Sequence, residues 1–339
     1  MTTSTHPYTM LLRFWPVLLL LLASCAKEDT FDGPALIDLY GDFTVINEFQ
    51  ASSNTVNFAE GQTVTFTALF SKNVNWTITI TGESSGAVRQ ITGFSNQLNA
   101  SNARWNGTTT ILPMFRAENC SVELTIANEE ETFQAEVEVI APRTYSGLLL
   151  SDFEDGFPEG WVPFVQSGAN MSFVVATVDI AGQGNRYYDM GGTVNWDYLI
   201  GMFDIPGSVY GDEATFPLAN NPNNIFFNCL LYNPPAINNA ITLIQFREDD
   251  NGNGTYEANE DLWAIEVTGL AAGWHLISQR YSDMPTLING QPAAPIGNGI
   301  HEPNRLIQVS VLFLANPVTG YSQNYLDFLI FTENTPLQP

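Results

Sequence analysis

Positive charge is scarce in this 339-residue chain: 11 lysines and arginines stand against 36 aspartates and glutamates, a formal charge of −25. Nucleic-acid phosphates would be repelled by such a balance, which excludes DNA and RNA as partners. An anionic membrane surface is excluded as a purely electrostatic partner for the same reason. Histidine is almost as scarce, with only His6, His275 and His301. They sit far apart, and the chain has no His-Glu-x-x-His, no Gly-x-Ser-x-Gly and no glycine-rich phosphate loop. Of three cysteines, Cys25, Cys120 and Cys229, none has a histidine or cysteine neighbour at zinc-site spacing. Cys120 and Cys229 read as buried free thiols in different domains, although a disulfide stapling the domains stays open. The apolar run from Phe14 to Leu22 is too short to cross a bilayer.

That short run is nevertheless informative. Arg13 precedes it and Leu22-Ala23-Ser24-Cys25 closes it, the layout of a secretory signal. Small residues directly before a cysteine resemble the lipobox of bacterial lipoproteins, which implies a lipid on the Cys25 thiol (palmitate among its acyl chains) and a new N-terminus there. The following Ala26-Lys27-Glu28-Asp29 resembles the export signal of Bacteroidota surface lipoproteins. An outer-membrane lipoprotein exposed on the cell surface is the expectation, with retention on the periplasmic side as the alternative. The membrane would then be a partner through the lipid alone.

Residues 1–24 are thus read as signal peptide and 25–35 as the lipidated cysteine and a polar tether. From there the hydrophobic period becomes two. Val64, Phe66, Ala68 and Phe70 alternate with polar neighbours, as do Trp76, Ile78 and Ile80, then Val122, Leu124 and Ile126, then Phe133, Ala135, Val137 and Val139. Turn signals such as Gly82-Glu83-Ser84-Ser85-Gly86 and Asn106-Gly107 bound these runs. The pattern predicts an all-β sandwich over residues 36–142. Strand spacing and Gly61-Gln62-Thr63-Val64-Thr65-Phe66 resemble the Ig-like and PKD-like modules of secreted bacterial proteins, which implies a spacer.

A break at Ala141-Pro142-Arg143-Thr144-Tyr145-Ser146-Gly147 opens the second part, residues 143–339. Asp152-Phe153-Glu154-Asp155-Gly156 with Gly160-Trp161 follows a strand-like Leu148-Leu149-Leu150. Gly273-Trp274-His275, the apolar Leu306 to Leu314 and Tyr325-Leu326-Asp327-Phe328-Leu329-Ile330-Phe331 come later in that order. Together they resemble the galactose-binding-like jelly rolls of carbohydrate-binding modules. The resemblance implies a jelly-roll β-sandwich, a glycan ligand, and a structural calcium near the first and last strands. By position that calcium falls to Glu154 and Asp327, with Asp152 nearby, although the last strand lacks the family's second acid.

Another calcium reading comes from the residues themselves. From Asp249 to Glu260, oxygen-bearing side chains stand at positions 1, 3, 5, 9 and 12 with glycine at 6, the order of an EF-hand loop. Asp249, Asn251, Asn253, Thr255, Glu257 and Glu260 are the candidate ligands. The flanks alternate like strands rather than helices. The same residues therefore also suit a hairpin turn decorated with solvated acids.

Sugar rings want aromatic faces and hydrogen-bonding side chains beside them. Tyr187, Tyr188, Asp189, Trp196 and Tyr198 are the densest such group, interleaved with Asn195 and Asp197, and Tyr232 and Tyr256 are outliers. Trp161, Trp263 and Trp274 sit in strand-like settings and read as core. The expectation is a surface lipoprotein that binds polysaccharide or oligosaccharide without catalysis, serving an outer-membrane uptake complex. The alternatives are a jelly-roll lyase or glycosidase, for which an acidic chain has carboxylates to spare, and an adhesin or scaffold without a small ligand.

Overall fold

The computed structural model describes residues 41–176, 180–194, 198–316 and 320–339. Cys25, the export tetrapeptide, the tether and Trp196 lie outside them. Apart from single 3-10 turns, all regular structure among the described residues is β, and no helix there is long and apolar enough to cross a membrane.

Seven strands come first: β1 (Val45–Ala51), β2 (Thr55–Asn57), β3 (Val64–Gly82), β4 (Val88–Leu98), β5 (Arg104–Trp105), β6 (Glu118–Ile126) and β7 (Thr132–Ala141). They form one sheet in the order β1-β3-β6-β7-β2, with β4 and β5 also paired to β3. The runs at Val64–Phe70 and Trp76–Ile80 belong to a single strand of 19 residues. Ser71, Lys72 and Asn73 interrupt its apolar sequence but not its phase. Phe70, Val74 and Trp76 are separated by even numbers of residues and stay on the buried side. One sheet thereby wraps a core containing Phe66, Phe70, Trp76, Ile78, Trp105 and Val122.

Sixteen shorter strands follow. They are β8 (Leu148–Ser151), β9 (Val162–Val165), β10 (Asn170–Met171), β11 (Val175–Ala176), β12 (Tyr187–Asp189), β13 (Gly192–Thr193), β14 (Leu199–Pro206) and β15 (Ile225–Asn233). Then come β16 (Ala240–Glu248), β17 (Leu262–Thr268), β18 (Gly273–Arg280), β19 (Thr286–Ile288), β20 (Gln291–Ala293), β21 (Leu306–Ala315), β22 (Tyr321–Ser322) and β23 (Tyr325–Glu333). A six-stranded sheet, β11-β12-β23-β15-β18 with β8 beside β23, packs on a five-stranded sheet, β17-β16-β21-β14-β9. Phe227 of β15 meets Phe246 of β16 across the layers with ring centroids 5.0 Å apart. Trp161 stacks on Phe203 at 5.1 Å, and both are buried. Each such ring contributes about 1.5–3 kcal/mol by leaving water, so this core fixes which face of every strand points in. Trp274, read as core, is only half-buried; it joins Met114, Leu230, Phe328 and Ile330 where the 112–114 segment covers the outer face of the six-stranded sheet. Cys120 and Cys229 are buried and free.

The turn between β3 and β4 is held by one carboxylate. Glu118 Oε2 accepts from Ser84 N (2.9 Å), Ser84 Oγ (2.9 Å) and Ser85 N (2.8 Å), and Oε1 accepts from Ser85 Oγ (2.6 Å) and Arg116 N (3.2 Å). Burial alone would raise this carboxyl, but the hydrogen bonds outweigh it and hold the group below its usual 4.5. A lowered native value stabilises the fold above the unfolded value, and that contribution is lost as pH falls through the native one. Glu118→Gln turns an amide NH2 toward these donors and is expected to cost about 1–3 kcal/mol at pH 7. Urea unfolding should show the gap between wild type and variant closing as pH drops below 4.5.

Candidate functional site

The predicted aromatic platform does not survive folding as one surface. Tyr188 is fully buried on β12, stacked on Phe153 at 5.8 Å, with its hydroxyl donating to Ser172 O (2.5 Å). Tyr187 points to the opposite face and is only 3% exposed, its ring 4.6 Å from Tyr325 and 6.1 Å from Trp274. Alternation put the two tyrosines on opposite sides, and both sides of β12 are covered. Asp189 accepts from Gly191 N (2.7 Å) and Gln323 Nε2 (2.9 Å), and burial pushes its carboxyl up. Tyr198 alone among the described members is well exposed, at 52%.

A different surface offers more. The outer face of the five-stranded sheet can be read row by row from strand register. Val162, Asp204, Ser310, Gln245 and Ala264 lie side by side across β9, β14, β21, β16 and β17. Pro206, Gln308, Arg247 and Leu262 make the adjoining row on one side, and Phe164, Met202, Leu312, Leu243 and Glu266 the row on the other. The polar members form a network. Ser310 Oγ donates to Asp204 Oδ1 (2.5 Å) and receives from Arg247 Nη1 (2.8 Å) and Gln308 Nε2 (2.9 Å). Arg247 also reaches Gln245 Oε1 (3.5 Å) and pairs with Asp204 at 3.6 Å. Tyr256, from the loop after β16, lies over the guanidinium at 5.5 Å. At the β9 edge Val162 and Phe164 are about half exposed, at 54% and 48%.

Two properties set this face apart from an ordinary solvated sheet. Its polar groups sit in the middle of the sheet, partly shielded and fixed by one another. Its third row sets the exposed Phe164 beside the part-buried Met202, Leu312 and Leu243. Sequence reasoning missed the face because residues on five strands are brought together only by register. The signal available in the sequence was polar pairs two residues apart, Gln245 with Arg247 and Gln308 with Ser310, inside otherwise apolar strands.

No known family model matches the chain, and no curated protein matches it. Similar solved structures do exist. One study of carbohydrate-binding modules from the β-sandwich superfamily overlaps 87% of this chain and 99% of its own, at 13% identity and a TM-score of 0.38. A family 11 carbohydrate-binding module from Clostridium thermocellum, solved with a β-1,3-1,4-mixed-linked tetrasaccharide, overlaps 56% of this chain and 96% of its own, at 15% identity and a TM-score of 0.37. SGBP-B from a xyloglucan utilization locus in Bacteroides uniformis overlaps 85% and 74%, at 14% identity and a TM-score of 0.33.

The predicted calcium residues divide into two places. Glu154 and Asp327 do converge on one loop. Asp327 Oδ2 accepts from Gln183 N (2.8 Å), while Glu154 Oε1 accepts from Asn185 N (2.6 Å) and Arg186 N (2.8 Å). Asp327 is fully buried, and burial holds its carboxyl well above the usual range. The residues on either side, Phe153 and Phe328, have φ of +57° and +45°, a strained region for bulky side chains.

In the hairpin loop, Asp249 is buried and its carboxylate caps the turn, accepting from Gly252 N (2.8 Å), Asn253 N (3.0 Å) and Gly254 N (2.7 Å). Glu260 likewise accepts from Asn251 N and Glu257 N. Asn253 Oδ1 takes Thr255 N, and Asn251 Nδ2 donates to Glu257. The EF-hand register therefore does not gather its carboxylates. Among the described residues, the three acids with ligand atoms within 4.8 Å of one another are Glu248, Asp250 and Asp261, one position out of step with the predicted set. Burial pushes the Glu248 carboxyl up to about 7, with the Asp250 charge adding to it.

The reassignment of the tyrosines is open to a direct check. Tyr188→Ala opens a cavity in the core and should cost about 3–5 kcal/mol in urea unfolding. Tyr198→Ala, at an exposed position, should cost less than about 1 kcal/mol.

Proposed function

We propose that this chain is a non-catalytic cell-surface lipoprotein that captures glycan on the outer face of its five-stranded sheet. The observation that carries the reading is the pairing of a fixed polar network, Asp204, Ser310, Arg247, Gln245 and Gln308, with a neighbouring apolar row that runs from the exposed Phe164 to the part-buried Met202, Leu312 and Leu243. A pyranose ring has one demand for each: apolar C–H faces to lay on Met202, Leu312 and Phe164, and hydroxyls that both donate and accept. A network fixed before binding loses little entropy on engagement.

The spacing of the acids on this face supports binding rather than hydrolysis. Asp204 and Glu266 stand on β14 and β17, three strand steps or about 14 Å apart. That exceeds the roughly 5–9.5 Å over which two carboxylates act on one glycosidic bond. Asp204 is further tied to Arg247 and Ser310.

In this reading the lipid on Cys25 supplies localisation at the outer membrane, residues 36–142 supply reach, and the glycan is held for an uptake complex. The calcium implied near the first and last strands is supported by Gln183, whose N–H donates to Asp327 and whose buried Oε1 has no hydrogen-bond partner. Bound there, it would support the fold, away from the glycan face.

Electrophoresis of the purified protein through gels containing soluble polysaccharides tests the reading. Retardation of wild type, weakened at least about tenfold by Arg247→Ala and unchanged by Tyr198→Ala, is the expected pattern. Passage of wild type through every gel without retardation would end the glycan reading, and new reducing ends would replace binding with catalysis. For localisation, Cys25→Ser is expected to move the protein from the membrane fraction to the soluble fraction, and continued membrane association would count against the lipid anchor.

A further inference from the structure

The two loops at one end of the five-stranded sheet, residues 249–261 and 296–302, are stitched together by three carboxylates. Asp261 Oδ1 and Oδ2 accept from Gly297 N (2.9 Å) and Gly299 N (2.7 Å). Asp250 Oδ2 accepts from Asn298 N (3.0 Å) and Asp261 N (3.3 Å). Glu248 Oε1 accepts from the Tyr281 hydroxyl (2.8 Å) and Glu302 N (2.8 Å). Only glycine fits at 297, where a Cβ would come within 2.1 Å of Asp250 Oδ2.

After all these bonds, two buried oxygens are left over: Glu248 Oε2 and Asp250 Oδ1 have no hydrogen-bond partner. Glu248 and Asp261 are fully buried. The Trp263 indole N–H lies close to Glu248 but makes no hydrogen bond of normal geometry. The nearby base, Arg305, donates to the Asp249 and Asp250 carbonyls (3.2 and 2.7 Å) and pairs with Glu302 at 3.1 Å. No cationic side chain therefore reaches the two orphaned oxygens among the described residues. A buried carboxylate oxygen without a partner carries a large desolvation cost. Three carboxylates with ligand atoms within 4.8 Å of one another supply part of the oxygen set that a hard divalent ion takes.

We propose that Glu248, Asp250 and Asp261 form a calcium site that locks the loop after β16 to the loop before β21. All the side-chain donors are oxygens, and none is the histidine or cysteine that zinc favours. The site is separate from Glu154 and Asp327 and does not depend on the glycan reading. It does bear on it, because the locked loop carries Tyr256, which covers Arg247.

Trp263 provides the readout. Terbium substitutes for calcium, and excitation of an indole beside the site transfers energy to it. The whole chain, stripped with chelator, is expected to give indole-excited terbium emission that calcium displaces. Asp250→Asn should reduce that emission at least tenfold and Asp327→Asn should leave it in place. Trp263→Phe should abolish the emission while calorimetry still registers calcium binding, a control that needs no change to the acids. A hundredfold excess of calcium over Kd should raise the melting temperature by about 5 °C or more.

Loss of emission in Asn251→Ala or Glu257→Ala, with Asp250→Asn and Glu248→Gln unaffected, would move the ion to the EF-hand register and overturn the assignment. No calcium binding by calorimetry, together with a Glu248→Gln variant at least as stable as wild type, would show instead a proton shared between Glu248 and Asp250.

Discussion

The period of two along a strand is the constraint on which the rest of this molecule depends. Once Ile244, Phe246, Val309, Val311 and Phe313 turn inward to meet Phe227 and Phe331, their neighbours Gln245, Arg247, Gln308, Ser310 and Leu312 have no choice but to face out. The core thus determines the composition of the outer face, and register between β14, β21, β16 and β17 determines which outward residues become neighbours. A shift of one residue would bury Arg247 and expose Phe246 in β16, or bury Asp204 and expose Phe203 in β14.

This division explains what could be read before the structure. Alternation at Val64 to Phe70, Trp76 to Ile80 and Val122 to Ile126 is a local signal, and it located strands and their buried sides correctly. The continuity of β3 through Ser71, Lys72 and Asn73 was hidden because three polar residues resemble a turn; they fall in an irregular stretch of the β3–β4 ladder, which pairs at Leu69 and again from Val74. Tyr187 and Tyr188 misled for a related reason. Aromatic density in a sequence reports the amount of ring surface, while its exposure depends on whether a second layer covers the strand. Here Phe153, Phe157 and Phe203 cover one side, and Tyr325 with Trp274 the other.

The hairpin after β16 teaches the same lesson at the level of single oxygens. Spacing from Asp249 to Glu260 satisfies the calcium-loop order, yet backbone amides inside the turn take up those carboxylates. Residues one step out of that order, Glu248, Asp250 and Asp261, meet because the 296–302 loop supplies its own amides from 36 or more positions away. No pattern confined to twelve residues contains that information.

Arg247 and Glu248 are consecutive on β16, and a single peptide unit separates the group facing solvent from the group facing the acid cluster. The end of this strand therefore carries a cation on its outer face and a buried acid on its inner face. A glycan on the proposed face and an ion at the proposed site would thus meet the same strand one residue apart.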